Sequence, residues 1–321
     1  MIVGVLRETA AEERRVALIP DDVRGLAGLR VIVEHDAGRS IGFDDADYVA
    51  AGAQVGERAE IFARCDVVVW VKPPAYQLDS VRPGTTLIGF QDPLHRHDVI
   101  AELRARGIES VGYETVPHSR PDIDALSAMS RIAGEVAYEQ GRQLLSTEGP
   151  VGALILGCGQ AGLAAIATAA AHGDEPTASG NRKEQESTAI RHGAKAFLLN
   201  PDGLLAHLAA DPPALIICAA VHRGSRGPLL LDATALDTLH TGTVIVDLVA
   251  KSGGNCVATV PDRTVTLPNG VIVTHRSNYP TLRPVEASHA YSAHTAALLK
   301  VVPRSARNSD RVGATGRRVD Q

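Results

Sequence analysis

The stretch Ala153-Leu-Ile-Leu-Gly157-Cys-Gly159-Gln-Ala-Gly162, continued by Leu-Ala-Ala-Ile-Ala-Thr-Ala169, decides the fold of this chain. An apolar run precedes three glycines in the spacing G-x-G-x-x-G, and an alanine-rich run without proline follows them. This order predicts a buried strand, a tight turn and a helix, the arrangement that holds the pyrophosphate of a dinucleotide. In it Gly157 permits the sharp reversal, Gly159 leaves room for the pyrophosphate, and Gly162 lets the helix approach the strand.

The helix that follows this turn is expected to supply further phosphate contacts. Gln160 and Ala161 would form its first turn, where backbone N–H groups have no partner inside the helix and attract phosphate. We therefore predict that the phosphate-binding segment comprises Gly157, Gly159, Gln160, Ala161 and Gly162.

The cofactor preference depends on residues about 20 positions further along, where dinucleotide-binding folds place an Asp or Glu for the adenosine ribose. This chain has Ser179-Gly-Asn181-Arg182 there, without a carboxylate. Such residues can hydrogen-bond and neutralise a 2′-phosphate, which predicts NADP(H). Glu175 and Pro176 are poor strand residues and are expected to weaken the second strand. NAD(H) binding and loss of nucleotide binding stay open as alternatives.

Outward from the turn, short β-branched runs alternate with helical stretches along the chain. This alternation is typical of parallel sheets covered by helices, so we predict the α/β class: two doubly wound Rossmann-like domains with parallel sheets, linked by a long helix at about 123–145. The predicted strands are Ile2–Val5, Val31–Glu34, Val67–Val71, Thr86–Phe90, Ser110–Glu114, Ala153–Leu156, Lys195–Leu198, Leu215–Ala219, Val244–Leu248 and Val271–His275.

Composition excludes several classes of protein. The 321 residues carry 32 Lys plus Arg against 37 Asp plus Glu, a net charge of −5, so no nucleic-acid surface is expected. The longest nearly apolar stretch, 161–171, is too short to cross a bilayer, and no signal peptide precedes the first strand; a cytoplasmic protein without membrane insertion is predicted. The four cysteines lack the spacing of a zinc or disulfide site and are expected to be reduced thiols: Cys65, Cys158, Cys218 and Cys256.

Polar candidates follow strands of the first series. Arg15 precedes a short apolar run and could hold a carboxylate or a phosphate by two parallel N–H bonds. Lys72 follows one predicted strand and Gln91 follows the next, so both are expected at the carboxyl edge of the sheet. Surface positions for Arg15 and Lys72 are the competing interpretations.

Two further groups lie beside the long helix and the second series. Asp124 and Ser127 stand at the start of the long helix, where they could face a cleft or only cap the helix. Asp247, Lys251 and Asn255 follow a buried strand and a Gly-Gly turn on the nucleotide side. The twelve histidines have no metal-binding spacing, so no metal is predicted.

Together, over about residues 1–299, these segments resemble the alanine dehydrogenase and pyridine nucleotide transhydrogenase α-subunit family. Two of them, Val244-Ile-Val-Asp247-Leu with Gly253-Gly-Asn-Cys256 and Asp124-Ala-Leu-Ser127, are more similar to the transhydrogenase branch. The other carriers are Gly4-Val-Leu-Arg-Glu-Thr, Arg15-Val-Ala-Leu-Ile-Pro, Glu34-His-Asp-Ala-Gly38, Gly42-Phe-Asp-Asp-Ala-Asp-Tyr48, Val71-Lys72, Ala128-Met-Ser-Arg-Ile-Ala-Gly134 and the Gly157 turn.

The resemblance implies an N-terminal substrate-type domain at 1–134 completed by a C-terminal helix at 283–302, a dinucleotide domain at 135–282, and a cleft between them. It also implies a homodimer or larger assembly. The remaining residues, 303–321, carry five Arg against two Asp and little that is apolar, which predicts a disordered tail.

The chain departs from both branches. The resemblance to the dehydrogenase branch implies that Arg15 and Lys72 hold a substrate carboxylate, but Gln91 and Lys251 stand where that branch has a catalytic His and Asp. The transhydrogenase branch places an Arg, a Gln, an Asp and a Ser around the nicotinamide. Asp124 and Ser127 match, whereas the loop 117–123 is about two residues short and lacks the expected Arg and Gln.

Three hypotheses follow. The first is an oxidoreductase resembling the soluble NAD(P) transhydrogenase α component, with hydride transfer in the cleft and separate transhydrogenase subunits as partners. The second is a stand-alone dehydrogenase of an amino, imino or keto acid, in which Arg15 and Lys72 hold a small carboxylate substrate and Lys251 or Asp124 moves the proton. The third is a nucleotide-binding protein without enzymatic activity.

Overall fold

Two parallel sheets organise the chain in the computed structural model, which describes residues 1–75, 78–199 and 203–301. The first sheet has the order β3-β2-β1-β4-β5-β6, and all its neighbouring strands are parallel. Its strands are β1 (Ile2–Val5), β2 (Arg30–Glu34), β3 (Gln54–Gly56), β4 (Val67–Val69), β5 (Thr86–Gly89) and β6 (Glu109–Gly112).

The second sheet has the order β12-β13-β11-β10-β7-β8-β9, and only the pair β12 and β13 is antiparallel. Its strands are β7 (Gly152–Leu156), β8 (Glu175–Gly180), β9 (Ala196–Leu199), β10 (Leu215–Cys218), β11 (Val244–Asp247), β12 (Thr264–Thr266) and β13 (Ile272–Thr274). Strand β10 is buried throughout and β7 is buried from Ala153 to Leu156, as expected for central strands covered on both faces. The predicted α/β class with two doubly wound Rossmann-like units is confirmed.

Helices cover both sheets. A strand order that reverses beside the first strand of each unit places a switch point between β1 and β4 in one sheet and between β7 and β10 in the other. The helices are α1 (Pro20–Arg24), α2 (Asp45–Ala50), α3 (Arg58–Arg64), α4 (His97–Ala105), α5 (Ala125–Leu144), α6 (Gln160–Ala171), α7 (Glu184–Arg191), α8 (Leu204–Ala210), α9 (Ala233–Asp237) and α10 (Pro284–Val301).

Helix α5 is the predicted link between the two units. Its buried residues Ala125, Met129, Ile132 and Val136 recur at helical spacing and form one apolar face. The helix packs on α6, β10 and β11 of the second unit and on α10. Its N-terminus therefore lies between the two sheets.

Helix α10 returns the chain to the first sheet. Backbone N–H groups of Val16 and Ile19 donate to the hydroxyls of Ser288 and Ser292 at 3.1 and 2.9 Å. The Tyr291 hydroxyl donates to the Trp70 carbonyl at 2.8 Å in the buried interior. These bonds attach α10 to the N-terminal unit.

The structure differs from the sequence-based prediction at β8. That strand forms in full and pairs with both neighbours despite Glu175 and Pro176, so the expected weakening is wrong. Successive N–H groups of a strand face opposite sides, and Glu175 donates towards β7, to the Val151 carbonyl. The nitrogen of Pro176, which has no proton, therefore faces β9 at the end of the ladder, where no donor is required. The predicted disordered tail lies outside the described residues.

Candidate functional site

A cavity of about 420 Å³ lies at the switch point of the second sheet. It is lined by the turn after β7, by the end of β8 and by the segment after β10. One residue of the first unit, His118, completes the wall. The position agrees with the general rule that open α/β sheets bind ligands outside the carboxyl ends of their strands at the switch point.

The three glycines of the turn have different roles. Gly157 has a φ of 106°, and a Cβ there would lie 2.6 Å from the Ala219 carbonyl oxygen; a Cβ at Gly162 would overlap the Gly157 carbonyl oxygen. Only glycine fits either position. At Gly159 the backbone is extended, and no atom lies within 4 Å of a Cβ built there. The protein's own packing leaves this space free beside the first turn of α6.

Gln160 and Ala161 form the start of α6, as predicted, but neither lines the cavity with its side chain. Gln160 is exposed. The backbone of Ala161 is in close contact with Gly134 of α5, where a side chain would overlap the Ala161 carbonyl. Their possible contribution to phosphate is therefore through backbone N–H groups.

The end of β8 brings Ser179, Asn181 and Arg182 to the cavity. Asn181 and Arg182 are exposed, and Gln185 fixes the turn by accepting the Arg182 backbone N–H at 3.0 Å. No Asp or Glu is among the described residues that line this cavity. An anion there would meet positive potential without carboxylate repulsion.

Asp247 and Asn255, which were predicted to contact the cofactor, do not line the first cavity. Both are fully buried. Asp247 accepts from the backbone of Val249 and Asn255 at 2.8 and 3.1 Å and from the Thr259 hydroxyl at 2.8 Å. Asn255 in turn bonds both the N–H and the carbonyl of Ala220 at 2.9 Å. Their polar groups are used inside the protein, where they fix the segment that follows β10.

Asp124 and Ser127 meet at the first turn of α5, and a residue of the other unit joins them. The Asp124 carboxylate caps the helix by accepting the Ser127 N–H at 3.0 Å and accepts the Ser127 hydroxyl at 2.7 Å. Arg223, which follows β10, donates to both carboxylate oxygens at 2.9 Å. His118 Nδ1 lies 3.2 Å from the same carboxylate. Asp124 therefore caps α5 and also bonds Arg223 of the second unit.

The surroundings of Asp124 fix its charge. Burial would raise the pKa of its carboxyl, but hydrogen bonds from Ser127 and Arg223 outweigh burial and hold that pKa below its usual value. Asp124 is therefore an ionised acceptor at neutral pH.

Arg15 is buried and already paired. Its side chain is 2% exposed and donates to the two carboxylate oxygens of Glu13 at 2.7 and 2.6 Å. Asn278 accepts a further N–H at 3.0 Å, and the Met129 sulfur accepts another. Burial would raise the pKa of Glu13, but the bonds and charge of Arg15 outweigh it and lower that pKa to about 2.

Lys72 and Lys251 line a second cavity, of about 700 Å³, together with Asn278. Burial lowers the pKa of Lys72. Behind it, Glu8 accepts the N–H groups of Val71 and Lys72 at 2.7 and 3.0 Å, and burial raises the pKa of Glu8 to about 8. Of the predicted residues, Gly157, Gly159, Ser179, Asn181 and Arg182 line the first cavity, and Lys72 and Lys251 line the second.

Gln91 joins neither group. It is 3% exposed, and its amide Nε2 is 3.4 Å from the Leu87 carbonyl, while Glu114 accepts its backbone N–H at 2.9 Å. It lines neither cavity. Its position after β5 predicted the correct sheet edge, but its side chain turns back into the first unit.

Sequence reasoning missed Arg223, Glu13 and Cys158. Arg223 carried a signal, because it follows β10, the strand beside the switch point. Cys158 lines the first cavity between two glycines of the turn; burial raises its pKa to about 11, so its thiol is neutral. Glu13 had no signal other than its spacing of two residues from Arg15.

The described part of the chain has neither a membrane-spanning helix nor a cluster of metal-binding side chains. None of its helices has the length and apolar character required to cross a bilayer. Across residues 1–75, 78–199 and 203–301, no group of three His, Cys, Asp or Glu residues is placed to hold a metal ion.

Comparison with known proteins assigns both units. Residues 4–133 match the family model described as alanine dehydrogenase/PNT, N-terminal domain, and residues 138–312 match the one described as alanine dehydrogenase/PNT, C-terminal domain. The NAD(P) transhydrogenase subunit alpha of Haemophilus influenzae is 32% identical over 340 residues, covering 94% of this chain and 66% of that protein. The chain spans 64% to 66% of the length of the first curated relatives it matches.

Two solved structures have the same architecture. The transhydrogenase from Sinorhizobium meliloti superposes with a TM-score of 0.86 at 26% identity, covering 94% of this chain and 93% of that one. An L-alanine dehydrogenase superposes with a TM-score of 0.84 at 28% identity, with coverages of 93% and 89%.

Proposed function

Because this chain belongs to the alanine dehydrogenase/PNT family, we propose that it is an oxidoreductase that binds NADP(H) or NAD(H) and transfers hydride in the cleft between its two units. The names of its relatives, NAD(P) transhydrogenase subunit alpha and L-alanine dehydrogenase, support this proposal. We take the two domains to be 1–134 with 283–302, and 135–282.

Within the family, the transhydrogenase-like function is favoured by one observation, the closed pair of Arg15 and Glu13. A guanidinium holds a substrate carboxylate only with N–H groups that are free for it. The guanidinium of Arg15 is buried, and four of its five N–H groups are used by Glu13, Asn278 and Met129. A small carboxylate would have to replace a buried charge partner, and a stand-alone amino, imino or keto-acid dehydrogenase would have to rely on Lys72.

We assign the dinucleotide to the first cavity. We assign the pyrophosphate to the turn at Gly157 and Gly159 and to the N-terminus of α6, because the space beside Gly159 is empty and the helix end attracts anions. We assign a 2′-phosphate to Ser179, Asn181 and Arg182, because no described carboxylate lines the cavity beside them. The cofactor is then NADP(H) in preference to NAD(H).

Asp124 and Ser127 would hold the nicotinamide end. The bound nucleotide supplies the hydride. Because Asp124 is ionised and its oxygens accept from Ser127 and Arg223, it would hold these side chains in place and would not deliver a proton. Hydride exchange between two nucleotides needs alignment and exclusion of water more than an acid–base pair, and this matches a site in which Gln91 is turned away.

The partner in this reaction would be a second nucleotide carried by a separate transhydrogenase subunit. We further propose a homodimer in the cytoplasm; the four free cysteines are compatible with a reducing compartment. Asp247 and Asn255 act as positioning residues that hold the segment after β10.

The test compares two reactions of the purified chain, each run alone and with the separate subunit that is proposed to carry the second nucleotide. Hydride transfer from NADPH or NADH to the oxidised acetylpyridine analogue of NAD is expected to exceed reductive amination of pyruvate with ammonium. Turnover of pyruvate near 10 s⁻¹, a typical value for enzymes, would overturn the transhydrogenase-like assignment in favour of the dehydrogenase.

A further inference from the structure

Arg223 is presented towards the first unit by a tight turn. The Ser225 N–H donates to the His222 carbonyl at 3.0 Å, and Gly224 has a φ of 72°. A positive φ at the third position of a turn favours glycine, so the sequence Arg-Gly sets this geometry. Asn255 anchors the segment just before the turn through its two bonds to Ala220.

The guanidinium is bound entirely by the other unit. It donates to the Val116 carbonyl, to both oxygens of Asp124 at 2.9 Å and to the Ser127 hydroxyl at 3.3 Å. Its side chain is 17% exposed and that of Asp124 is 2% exposed. Because solvent is largely excluded, this pair is stronger than a surface ion pair.

The same guanidinium forms the end wall of the first cavity. Arg223 and His118 line that cavity together with Gly157 and Gly159, although Asp124 lies behind them. The ion pair of Arg223 with Asp124 therefore lies where the cavity approaches the N-terminus of helix α5. Among the described residues, Arg223 is the arginine that reaches both Asp124 and Ser127, and it comes from the opposite unit.

We propose that Arg223 is a positioning residue, supplied by the dinucleotide-binding unit, that is held by Asp124 and Ser127 behind it and fixes the end of the first cavity assigned to the nicotinamide of the ligand. The inference rests on the proposed function for the identity of that ligand. It assigns Arg223 two effects: it holds the first turn of α5 in the unliganded protein, and it strengthens binding of the nicotinamide half alone.

Ligand binding tests the second effect. We compare Arg223→Gln with Arg226→Gln, which removes the same charge from an exposed residue of the same segment that has no described ion pair with the first unit. Arg223→Gln should lower the affinity for NADPH about ten- to a hundredfold, the range for a charge-assisted bond. Its affinity for 2′-phospho-ADP-ribose, which lacks nicotinamide, should be unchanged. Arg223→Lys should recover part of the loss, and Arg226→Gln should change neither ligand.

Equal weakening of NADPH and of the fragment, or no weakening of NADPH, would overturn the positioning role. If the wild type prefers NADH, the same comparison uses NADH and ADP-ribose.

Hydrogen exchange in the unliganded chain tests the first effect without any nucleotide. Arg223→Gln should accelerate exchange in the peptide 116–128, which contains the capped Ser127 amide, and Arg226→Gln should not. Unchanged exchange would overturn the proposal. If the wild type binds no dinucleotide and no fragment, the proposed function fails, and the exchange result decides whether Arg223 holds Asp124.

Discussion

At Gly159 no atom of the protein lies within 4 Å of the position of a Cβ. At Gly162 the Gly157 carbonyl oxygen occupies that position. We predict that Gly159→Asp abolishes dinucleotide binding without loss of stability, because Asp is a good N-cap residue but places a carboxylate in the phosphate space. Gly162→Ala should instead lower the unfolding temperature. Calorimetric titration with NADPH and thermal unfolding measure the two effects, and nucleotide binding by Gly159→Asp would contradict the assignment of the pyrophosphate.

Glu13 links the charge state of a buried pair to stability. Its pKa of about 2 lies below the ordinary value of 4.5, so its contribution is present above pH 4.5 and is lost as the pH falls towards 2. A shift of this size corresponds to about 3 kcal/mol. We predict that Glu13→Gln lowers the free energy of unfolding by about this much at pH 7 and by much less at pH 3.

Urea unfolding at the two pH values measures the difference. The exposed neighbour Glu12, paired with Arg276, provides the control: Glu12→Gln should cost less than about 1 kcal/mol at either pH. If Glu13→Gln lowered the free energy of unfolding equally at both pH values, the charge of Glu13 would not contribute to stability through Arg15.

Individual residues were predictable where backbone geometry dictates the residue type. The three glycines and the cap at Asp124 follow from local rules, and the structure places them accordingly. The pairing of Arg15 with Glu13 was not predictable, because spacing alone does not tell whether two nearby charges point at each other. The same is true of Gln91, whose strand end was predicted but whose rotamer was not.

At the scale of elements, the contact between α5 and α6 joins the long linking helix to the dinucleotide turn. Gly134 lies against the Ala161 backbone, and a Cβ there would overlap the Ala161 carbonyl. We predict that Gly134→Ala destabilises the protein by about 1–3 kcal/mol, the usual cost of overpacking. Gly152→Ala is the matched control, because nothing lies within 4 Å of its Cβ, and it should leave stability unchanged or slightly raised. Equal unfolding free energies for the two variants would contradict this contact.

The strands show which elements sequence patterns can predict. Long apolar runs such as β7 and β10 were predicted within one residue. The stability of strand β8 was underestimated because strand propensity counts Pro176 as unfavourable at any position. The side of the strand that its nitrogen faces is not part of that propensity. The three-residue strands β3 and β12 were not predicted, because edge strands of this length carry too little periodicity to be distinguished from loops.

For the whole molecule, the candidate residues are gathered at two cavities. The cavity at the switch point of the second sheet has the glycine turn and Arg223, and the second cavity has Lys72 and Lys251. Arg223 also joins the second unit to Asp124 at the N-terminus of α5. The order of strands predicted both edges, but the charge pairs that link them become visible only in three dimensions.

The central claim is that this cleft binds a nicotinamide dinucleotide through a cavity suited to a 2′-phosphate. Titration calorimetry of the wild-type chain with NADPH and with NADH, repeated on Arg182→Ala, tests it most directly. An arginine–phosphate bond is worth about 1.5–3 kcal/mol, so NADPH should bind roughly ten- to a hundredfold more tightly than NADH, and Arg182→Ala should remove most of that preference. Binding of NADH as tight as or tighter than that of NADPH would contradict the phosphate assignment, and no binding of either nucleotide at millimolar concentration would contradict the account as a whole.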